Sequence, residues 1–482
     1  MALDPDSCYR ALLAHDRRFD RRFDGKFFVG VASTRIYCRP VCTVRMPRRE
    51  NCRFYTSAAA AEVDGYRPCL RCRPELAPGN AGIDAAARLA QSAVNLIENG
   101  ALDEGGIEGL AARIGVTSRH LRRIFGAEFG VAPIEFGQTQ RLLLAKRLLT
   151  DTTLPVTEVA LASGFASVRR FNALFKERYR MPPGRLRKSA AGGAVHGPLA
   201  FELSYRPPYD WESMLAFLGA RAIAGVEEVT ADAYRRTLGV EQRGGTHIGS
   251  IEVRHATRRT ALAIAVSPSL ARVVPAVLAR VKHAFDLTCD PTVVAVALAD
   301  LAAGHPGLRI PGTFDGFELA VRAVVGQQIT VRGARTLLGR LVAAFGETAD
   351  AAVADGPARL FPPPARIAAC APAELARLGV TTARARTLIA LARALATGEL
   401  ELLPGSDVDA TVRALTALPG IGTWTAQYIA MRALGWPDAF LASDLVVRKA
   451  LGGLSPARAL ARSEAWRPWR AYAVLHLWRN AT

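Results

Sequence analysis

Two pairs of closely spaced cysteines constrain the fold of this chain more than any other feature. Three residues separate Cys38 from Cys42, two separate Cys69 from Cys72, and 26 lie between the two pairs. Such pairs can place four thiolates in a tetrahedron around one Zn²⁺ ion. The spacing therefore predicts a four-cysteine zinc site. By spacing alone, such a site more often holds a small domain together than carries out chemistry.

Length and charge narrow the class of protein. The chain has 482 residues, which predicts several domains, and 62 Lys and Arg against 43 Asp and Glu give a net charge of +19. This excess favours nucleic acid as the partner over a membrane surface. The first ten residues carry acids and no apolar core, and no apolar run approaches the roughly 18 residues that span a bilayer. We therefore expect a cytoplasmic protein that is associated with the nucleoid.

The cysteine content has a corresponding interpretation. Eight cysteines in a long chain without a secretory signal indicate metal binding or reactive thiols rather than disulfides. Cys8 and Cys52 lie outside the paired pattern, and we expect them to take no part in the metal site.

The sequence pattern changes three times along the chain. Small-residue breaks at Ala77–Gly82 and Ser189–Pro198 flank a segment of helical pattern, and the second break is typical of a flexible linker. After it, Phe201, Leu203 and Tyr205 alternate with polar residues, which predicts strands of an antiparallel sheet. The last segment is helical again. The expected domains are residues 1–76, 83–188, 198–288 and 289–482.

Motifs around the cysteines match one known family. They are Ile36–Cys42 (IYCRPVC), Arg49–Asn51 (REN), Phe54–Tyr55 (FY) and Gly65–Cys72 (GYRPCLRC). The first 76 residues thereby resemble the zinc-binding N-terminal domain of the Ada adaptive-response family. The resemblance implies that Cys38 takes a methyl group irreversibly from a DNA phosphotriester. It also implies DNA-backbone contacts at Thr34, Arg45 and Arg67.

The charge of such a centre explains how methylation can act as a switch. Four thiolates on Zn²⁺ carry a formal charge of about −2, and the metal keeps each sulfur deprotonated at neutral pH. Methylation of one sulfur removes one negative charge. Repulsion from DNA phosphates then falls, so DNA affinity rises. Because the acceptor sulfur is consumed, this domain is expected to be a stoichiometric transferase.

A helix-turn-helix pattern occurs twice in the second segment, at Gly109–Phe125 and at Val159–Lys176. Thr117 or Ser118 is expected to cap the second helix of the first unit. Apolar residues form one face of each second helix, and arginines lie off that face. A helical bundle with a solvated basic face accounts for one such unit equally well, but two in tandem favour binding in the DNA major groove. The expected DNA-binding side chains are Arg119, Arg122, Arg169 and Arg170.

The second unit resembles the AraC-type DNA-binding family. The matching residues are Gly164, Phe165, Phe171, Phe175, Lys176 and Pro183. Arg180 and Pro182 stand where the family usually has glycine and then threonine, so the backbone after this helix is where geometry is expected to differ. In the Ada family the zinc domain precedes a domain of this type, and the order here is the same.

A glycine-rich turn in the last segment indicates a phosphate-binding hairpin. Leu418–Ala426 (LPGIGTWTA) exposes backbone N–H groups of Gly420 and Gly422 where a helix begins, and a DNA phosphate can bind there without any base being read. A carboxylate follows at Asp444. This combination resembles the helix-hairpin-helix DNA glycosylase superfamily, in which Asp444 takes the place of the catalytic aspartate.

The resemblance to the 3-methyladenine glycosylase AlkA covers nearly all of residues 198–480. It is carried by Tyr205–Trp211, Met214–Leu218, Phe285–Leu287, Arg309–Gly312, Val325–Gln327 and Trp469–Trp478. The implied reaction is hydrolysis of the N-glycosidic bond of a flipped-out alkylated nucleotide, with Asp444 stabilising positive charge on the sugar. The implied aromatic walls of the base pocket are Phe217, Trp424, Tyr428 and Trp478.

Three substitutions qualify this resemblance. Trp424 stands where bifunctional relatives have the lysine for Schiff-base chemistry, so base removal is expected without strand cleavage. Gln328 stands at the position of the wedge that fills the gap in DNA, which is apolar in the AlkA type. Ser443 stands where a second acid often precedes the catalytic one, which leaves a single carboxylate there.

The sequence thus predicts a multidomain, mainly α-helical chain with two small α+β parts. The parts are a zinc-bound Ada-like domain, an AraC-type double helix-turn-helix, an AlkA N-terminal sheet domain and an all-helical glycosylase domain. We expect a methylation-switched transcriptional activator joined to a monofunctional glycosylase, with one Zn²⁺ and no cofactor for the glycosylase. Double-stranded DNA, alkylated and promoter, is the expected partner, with RNA polymerase during activation. The alternatives are a regulator whose inactive glycosylase half is a DNA clamp, and an enzyme whose N-terminal half is only a DNA anchor.

Overall fold

The structure is a computed structural model. It describes residues 4–13, 23–42, 44–77, 85–98, 100–152, 154–186, 197–242, 245–256, 259–349 and 356–480. The two expected small-residue breaks lie outside the described residues, apart from Ala77, Gly197 and Pro198. Among the described helices, none is long and apolar enough to cross a membrane.

The N-terminal domain carries the cysteine pairs on a small sheet. Its strands follow the order β3-β1-β2-β4, antiparallel except for the parallel pair β2 and β4. Cys38 ends β2, and Cys69 directly follows β4 and donates its N–H to the Tyr37 carbonyl at 3.0 Å. The parallel pairing therefore brings the two cysteine pairs side by side. The elements are α1 (Pro5–Leu13), β1 (Phe28–Val31), β2 (Ile36–Cys38), β3 (Cys52–Tyr55), α2 (Ala58–Val63) and β4 (Arg67–Pro68).

Six helices follow and form two helix-turn-helix units. In the first unit Thr117 caps the second helix by accepting the His120 N–H, and in the second unit Ser167 accepts the Arg170 N–H. Thr117 is thus the cap of the two candidates. Arg180 adopts a left-handed φ of 57° and donates its N–H to the Lys176 carbonyl, which ends the helix. Glycine usually occupies such a position, and a residue with a side chain adopts this conformation at a cost of roughly 1 kcal/mol. The helices are α3 (Ala85–Glu98), α4 (Ala101–Ile114), α5 (Ser118–Phe129), α6 (Pro133–Asp151), α7 (Val156–Ala162) and α8 (Val168–Tyr179).

The third part is a five-stranded antiparallel sheet with two helices. The strand order is β5-β9-β8-β7-β6, and Phe201 pairs with Ile264 and Leu203 with Leu262, so the alternation in the sequence correctly predicts these strands. The alternating apolar residues face the buried side. The elements are β5 (Leu199–Ser204), α9 (Trp211–Arg221), β6 (Glu227–Val229), β7 (Ala233–Gln242), β8 (Gly245–Ala256), β9 (Ala261–Val266) and α10 (Val274–Ala284).

The last part is helical, as its sequence pattern predicts. Its α-helices pack around two apolar cores, of which the second lies against the C-terminal helix. They are α11 (Pro291–Leu298), α12 (Gly316–Val325), α13 (Val331–Phe345), α14 (Pro364–Ala368), α15 (Pro372–Arg377), α16 (Thr382–Ala396), α17 (Val408–Ala417), α18 (Thr423–Arg432), α19 (Leu445–Ala450), α20 (Pro456–Ser463) and α21 (Arg470–Asn480).

The second helix-turn-helix unit and the sheet domain share one apolar core. Phe171 and Phe175 of α8 belong to the same buried cluster as Phe201 of β5. The buried Arg147 guanidinium lies 4.7 Å from the Phe201 ring centroid and donates to the Glu202 carbonyl at 2.7 Å. The two halves of the chain are therefore packed against each other, in addition to any connection through the residues that join them.

Candidate metal centre and candidate active site

The four paired cysteines converge on one point. The sulfur atoms of Cys38, Cys42, Cys69 and Cys72 all lie within 4.8 Å of one another. Four sulfurs at this separation fit a tetrahedral Zn²⁺ ion with bonds of about 2.3 Å. Cys8 and Cys52 are buried outside the cluster, and the Cys52 thiol donates to the Arg48 carbonyl at 3.3 Å. The donor set fits zinc, which is the metal the spacing predicts.

Backbone N–H groups distinguish the four sulfurs. The Cys72 sulfur accepts the Arg39 N–H and the Cys69 sulfur accepts the Arg71 N–H, each at 3.4 Å. The Cys42 sulfur accepts a backbone hydrogen bond from Val44. In the described part of the chain no N–H reaches the Cys38 sulfur. Hydrogen bonds of this kind stabilise the charge of a thiolate, and Cys38 itself is only 4% exposed.

The side chain of Arg39, which follows Cys38, anchors the cysteine cluster. The Arg39 guanidinium is buried, pairs with the buried Asp24 carboxylate and donates to the Cys72 carbonyl at 3.2 Å. Arg206 of the sheet domain donates to the Asp24 carbonyl at 2.9 Å. The metal centre is therefore in contact, through two buried arginines, with the domain that begins at β5.

The predicted DNA contacts of the N-terminal half lie at its surface. Thr34 and Arg45 are exposed and Arg67 is half-buried. On the recognition helices α5 and α8 the predicted arginines are all exposed, while Leu121 and Phe171 on the opposite faces are fully buried. The exposed set comprises Arg119, Arg122, Arg169 and Arg170. This arrangement leaves the basic face of each helix accessible to a groove of DNA.

The glycine-rich turn joins α17 to α18 and is held by side chains from α16 and from the turn after α12. Thr387 donates its hydroxyl to the Pro419 carbonyl at 2.8 Å, and Gln327 donates to the Gly420 carbonyl at 3.0 Å. Gly420 has a φ of +84°, and a Cβ there would lie 2.2 Å from the Thr387 hydroxyl oxygen. Gly422 is exposed and precedes α18, whose first N–H groups have no acceptor within the helix. The start of α18 at Gly422 is thus at the surface of the protein.

Asp444 caps α19 and is fixed by four hydrogen bonds. Its Oδ1 accepts the backbone N–H groups of Val446 and Val447 at 3.0 and 2.9 Å. The same oxygen accepts the indole N–H of Trp478 at 3.1 Å, and Oδ2 accepts that of Trp424 at 2.9 Å. Donors on both oxygens hold the carboxylate in one orientation.

The four predicted pocket aromatics line one cleft together with Asp444. The cleft has a volume of about 800 Å³. Trp424 and Tyr428 are stacked with ring centroids 5.2 Å apart and planes at 7°, and Trp478 lies 6.4 Å from Tyr428. Phe217 comes from α9 of the sheet domain, so the cleft lies between two domains. Flat aromatic faces beside a fixed carboxylate suit a planar base attached to a sugar.

Two pocket arginines are absent from the sequence-based prediction. Arg221 lies with its guanidinium carbon 3.7 Å from the Phe217 ring centroid, and Arg432 lies 5.4 Å from the Tyr428 centroid. Each arginine follows its aromatic residue by four positions in a helix. That spacing places both on the same helix face and is the signal that could have identified them.

The predicted wedge residue lies in the turn between α12 and α13. Gln328 is exposed and adopts a left-handed φ of 55°. The neighbouring Gln327 ties this turn to the glycine-rich turn through the Gly420 carbonyl and the Thr425 hydroxyl, each at 3.0 Å. A strained backbone held by such bonds keeps the Gln328 side chain at the surface.

Family models match four consecutive parts of the chain. The metal-binding domain of Ada matches residues 7–75 and a helix-turn-helix domain matches 110–189. The AlkA N-terminal domain matches residues 200–315, and the HhH-GPD superfamily of base excision DNA repair proteins matches 321–470. Together with the cysteine cluster and the cleft around Asp444, they define a DNA-alkylation repair protein in which a zinc-binding sensor with helix-turn-helix units is joined to a glycosylase.

Relatives extend over the whole chain. The Mycobacterium tuberculosis protein called "Probable bifunctional transcriptional activator/DNA repair enzyme AlkA" is 40% identical over 98% of this chain and 96% of its own length. The chain belongs to this family of bifunctional transcriptional activator and DNA repair proteins.

Other relatives match one half each. Escherichia coli DNA-3-methyladenine glycosylase 2 is 40% identical over 58% of this chain and 96% of its own length. Escherichia coli Ada is 30% identical over 41% of this chain and 53% of its own length. The structure of the Archaeoglobus fulgidus 3-methyladenine DNA glycosylase covers 58% of this chain and 98% of its own at 20% identity with a TM-score of 0.51, which shows a shared fold.

Proposed function

We propose that Asp444 is the catalytic carboxylate of a monofunctional glycosylase that releases alkylated bases such as 3-methyladenine. The observation that carries this proposal is the carboxylate fixed by Trp424 and Trp478 at the wall of an aromatic cleft. As the C1′–N bond breaks, positive charge develops on the sugar, and a carboxylate that needs no reorganisation stabilises it. Water attacks C1′ and Asp444 can accept its proton. With Trp424 in the lysine position, no amine attacks the sugar and the strand stays intact.

DNA is held around this cleft by residues that do not read bases. The N–H groups at Gly420 and Gly422 bind a phosphate, and Gln328 fills the space left by the flipped nucleotide.

The extruded base is held by aromatic stacking. The side chains that stack on it are those of Phe217, Tyr428, Trp424 and Trp478. The reaction needs no cofactor in this proposal.

The N-terminal half is proposed to accept a methyl group on Cys38. The Cys38 sulfur attacks the methyl carbon, an S–C bond forms, the C–O bond of the phosphotriester breaks and the phosphodiester leaves with its negative charge. Zinc bound by the four cysteines supplies a permanently deprotonated sulfur. The absence of an N–H bond at Cys38, among the described residues, supports this choice over the other three sulfurs.

Methylation then converts the sensor into an activator. The centre loses one negative charge, so its repulsion from DNA phosphates falls and affinity for promoter DNA rises. Thr34, Arg45 and Arg67 contact the backbone, while the arginines of α5 and α8 enter the major groove. RNA polymerase is the proposed partner of the DNA-bound form, at the nucleoid in the cytoplasm. The proposed functional domains are residues 1–76, 83–188, 198–288 and 289–482.

The decisive experiment measures release of 3-methyladenine from methylated duplex DNA by the full chain and by Asp444→Asn. Asparagine keeps the shape and an acceptor for the helix cap but lacks the charge. Release that collapses in the variant, with abasic strands left uncut, supports the proposal. No release by the unmutated chain, with DNA binding intact, would support the alternative in which the glycosylase half is an inactive DNA clamp.

A second experiment separates the two halves. Cys38→Ser is expected to abolish methyl transfer and alkylation-induced transcription while base release continues. Cys52→Ser is the matched control, since that thiol is equally buried but lies outside the cluster. Persistent induction in Cys38→Ser would reject Cys38 as the acceptor.

A further inference from the structure

Two guanidinium groups meet on the side of the cleft where the base is expected to stack. The Arg221 guanidinium carbon lies 3.7 Å from the Phe217 ring centroid, and that of Arg432 lies 4.9 Å from the same centroid. Arg432 also lies 5.4 Å from the centroid of Tyr428. All four side chains line the cleft that contains Asp444.

Neither of these charges is paired with a carboxylate among the residues that the structure describes. Arg432 donates to the Pro311 and Gly312 carbonyls at 2.6 and 3.1 Å and to the Tyr428 hydroxyl at 2.6 Å. Arg221 donates to the carbonyl of Phe217 at 3.2 Å. Every one of these acceptors is electrically neutral.

A neighbouring arginine in the same cleft is different. Arg322 pairs with the carboxylates of Glu227 and Glu318, and Glu318 also pairs with Arg236 at 2.8 Å. The charges in that part of the cleft are compensated. Arg221 and Arg432 are the two arginines of the cleft that lie against the Phe217 ring, and neither has such a partner among the described residues.

The phenol of Tyr428 reports the potential at this place. Burial by itself raises the pKa of a phenol, yet the pKa of Tyr428 lies below its usual value because the guanidinium groups of Arg432 and Arg221 outweigh burial. The pKa of Arg221 is lowered by its own burial and by the nearby charge of Arg432. The direction of the Tyr428 shift agrees with a positive potential beside Phe217 and Tyr428.

Cleavage of an N-glycosidic bond moves negative charge from the sugar to the base. The C1′–N bond breaks, its electron pair stays on the base nitrogen, and the sugar becomes positive. Water then supplies a hydroxyl group to C1′ and a proton that neutralises the released base or, for a base that left as a neutral molecule, enters the solvent. Whatever charge the base carries at the start, it becomes one unit more negative as it leaves.

We propose that Arg221, assisted by Arg432, stabilises the electron pair that the departing base receives and thereby sets the order in which lesions are excised. This inference rests on the proposed glycosylase function and extends it to the choice of substrate. A base that is neutral in DNA leaves as an anion, so the guanidinium groups stabilise its transition state. A base that is cationic in DNA is repelled by the same groups when it binds. Because it leaves as a neutral molecule, they give its transition state little stabilisation.

The test compares two purines of similar shape in otherwise identical duplexes. One carries hypoxanthine, which is neutral, and the other 7-methylguanine, which is cationic while attached to the sugar. Single-turnover rates are measured against enzyme concentration for the full chain and for Arg221→Met, which gives the rate at saturation and the half-saturating concentration separately.

The two substrates are expected to respond differently. For hypoxanthine the ratio of saturating rate to half-saturating concentration falls about tenfold in Arg221→Met, as expected for one charge acting over several ångströms in a partly screened site. For 7-methylguanine the saturating rate also falls about tenfold, but the half-saturating concentration falls with it, so the ratio changes less than about threefold.

Two variants control for structural effects. Arg221→Lys retains the charge and is expected to restore most of the hypoxanthine activity. Arg366→Met removes a guanidinium that lies 4.6 Å from the Phe345 centroid outside the cleft, and it is expected to leave both substrates unaffected.

The outcomes separate this inference from the proposed function. Equal loss of the ratio for both lesions in Arg221→Met, or no loss for either, overturns the inference while the chain remains a glycosylase. If the unmutated chain releases neither base, and no 3-methyladenine, the proposed glycosylase function itself fails.

Discussion

Trp424 and Asp444 are joined by a 2.9 Å hydrogen bond from the indole Nε1 to the carboxylate Oδ2. The indole that stacks on Tyr428 at the pocket wall is thus also the group that orients the proposed catalytic carboxylate. A single side chain therefore links recognition of a flat base to the position of the negative charge that acts on its sugar.

This link predicts a separable effect of the indole N–H. Trp424→Phe retains an aromatic face but removes the hydrogen bond to Asp444. Hydrogen bonds to charged groups typically contribute about 1.5–3 kcal/mol, and we take roughly half of this because the site is partly exposed. We therefore expect base release to slow roughly four- to tenfold. Binding of abasic duplex DNA is expected to change little. Single-turnover release and fluorescence anisotropy measure the two quantities. Trp436→Phe, a tryptophan outside the cleft, is the control. Unchanged release in Trp424→Phe would show that the bond does not position the carboxylate.

The two glycines of the turn before α18 are predicted to differ. Gly420→Ala forces a residue with a side chain into a φ of +84° and places its Cβ 2.2 Å from the Thr387 hydroxyl oxygen. We expect a loss of about 1–3 kcal/mol in the free energy of unfolding and weaker DNA binding. Gly422 has a φ of −88°, and a Cβ added there would have no atom within 4 Å. The stability of Gly422→Ala should therefore be close to that of the unmutated chain. Urea unfolding of both variants checks this, and equal stabilities would contradict it.

A buried carboxyl between the sensor and the helix-turn-helix units makes stability depend on pH. Glu62 is 3% exposed and is contacted by the hydroxyl groups of Tyr37, Thr139 and Tyr179. Burial raises its pKa to about 7 despite these hydrogen bonds. Since the folded state binds this proton more tightly than the unfolded state, the stabilisation is complete below about pH 4.5 and is lost as pH rises through 7.

Between about pH 4.5 and 7, ionisation of Glu62 is expected to lower the free energy of unfolding by about 3 kcal/mol. Glu62→Gln cannot ionise, so it should be the more stable protein at pH 8 and should show a flatter profile between pH 5 and 7.5. Denaturant unfolding at a series of pH values measures this difference. Parallel profiles for the two proteins would rule out Glu62 as the titrating group.

Removal of zinc is predicted to affect one half of the chain selectively. The apolar cluster around the cysteines contains residues of the N-terminal domain alone, such as Leu12 and Val29, whereas the two cores that surround the cleft contain none of them. Chelation should therefore abolish methyl transfer and expose the four thiols to alkylating reagents, while base release persists. Thiol counting and glycosylase assays on the same sample test this. Loss of both activities at the same chelator concentration would show that the sensor is needed to keep the cleft formed.

Local sequence patterns were enough to predict the parts of this protein. The spacing of the cysteines specifies a metal site because two tight turns and four soft ligands permit few other arrangements. The alternation at Phe201 and Leu203, and the glycine-rich turn ahead of Thr423, determine local conformation through side-chain periodicity and backbone freedom. Asp444 is predicted as the catalytic carboxylate because it follows that turn in a matching motif.

Only the tertiary structure decided how these parts act on one another. Phe217 and Arg221 lie some two hundred positions before Tyr428 and Arg432, and their meeting places two guanidinium groups against one aromatic ring of the cleft. The shared core of α8 and β5, and the burial that shifts Glu62, likewise depend on segments far apart in the chain. The electrostatic potential at a site and the burial of a side chain depend on all atoms that are near in space. A local sequence pattern describes only the residues that are near along the chain.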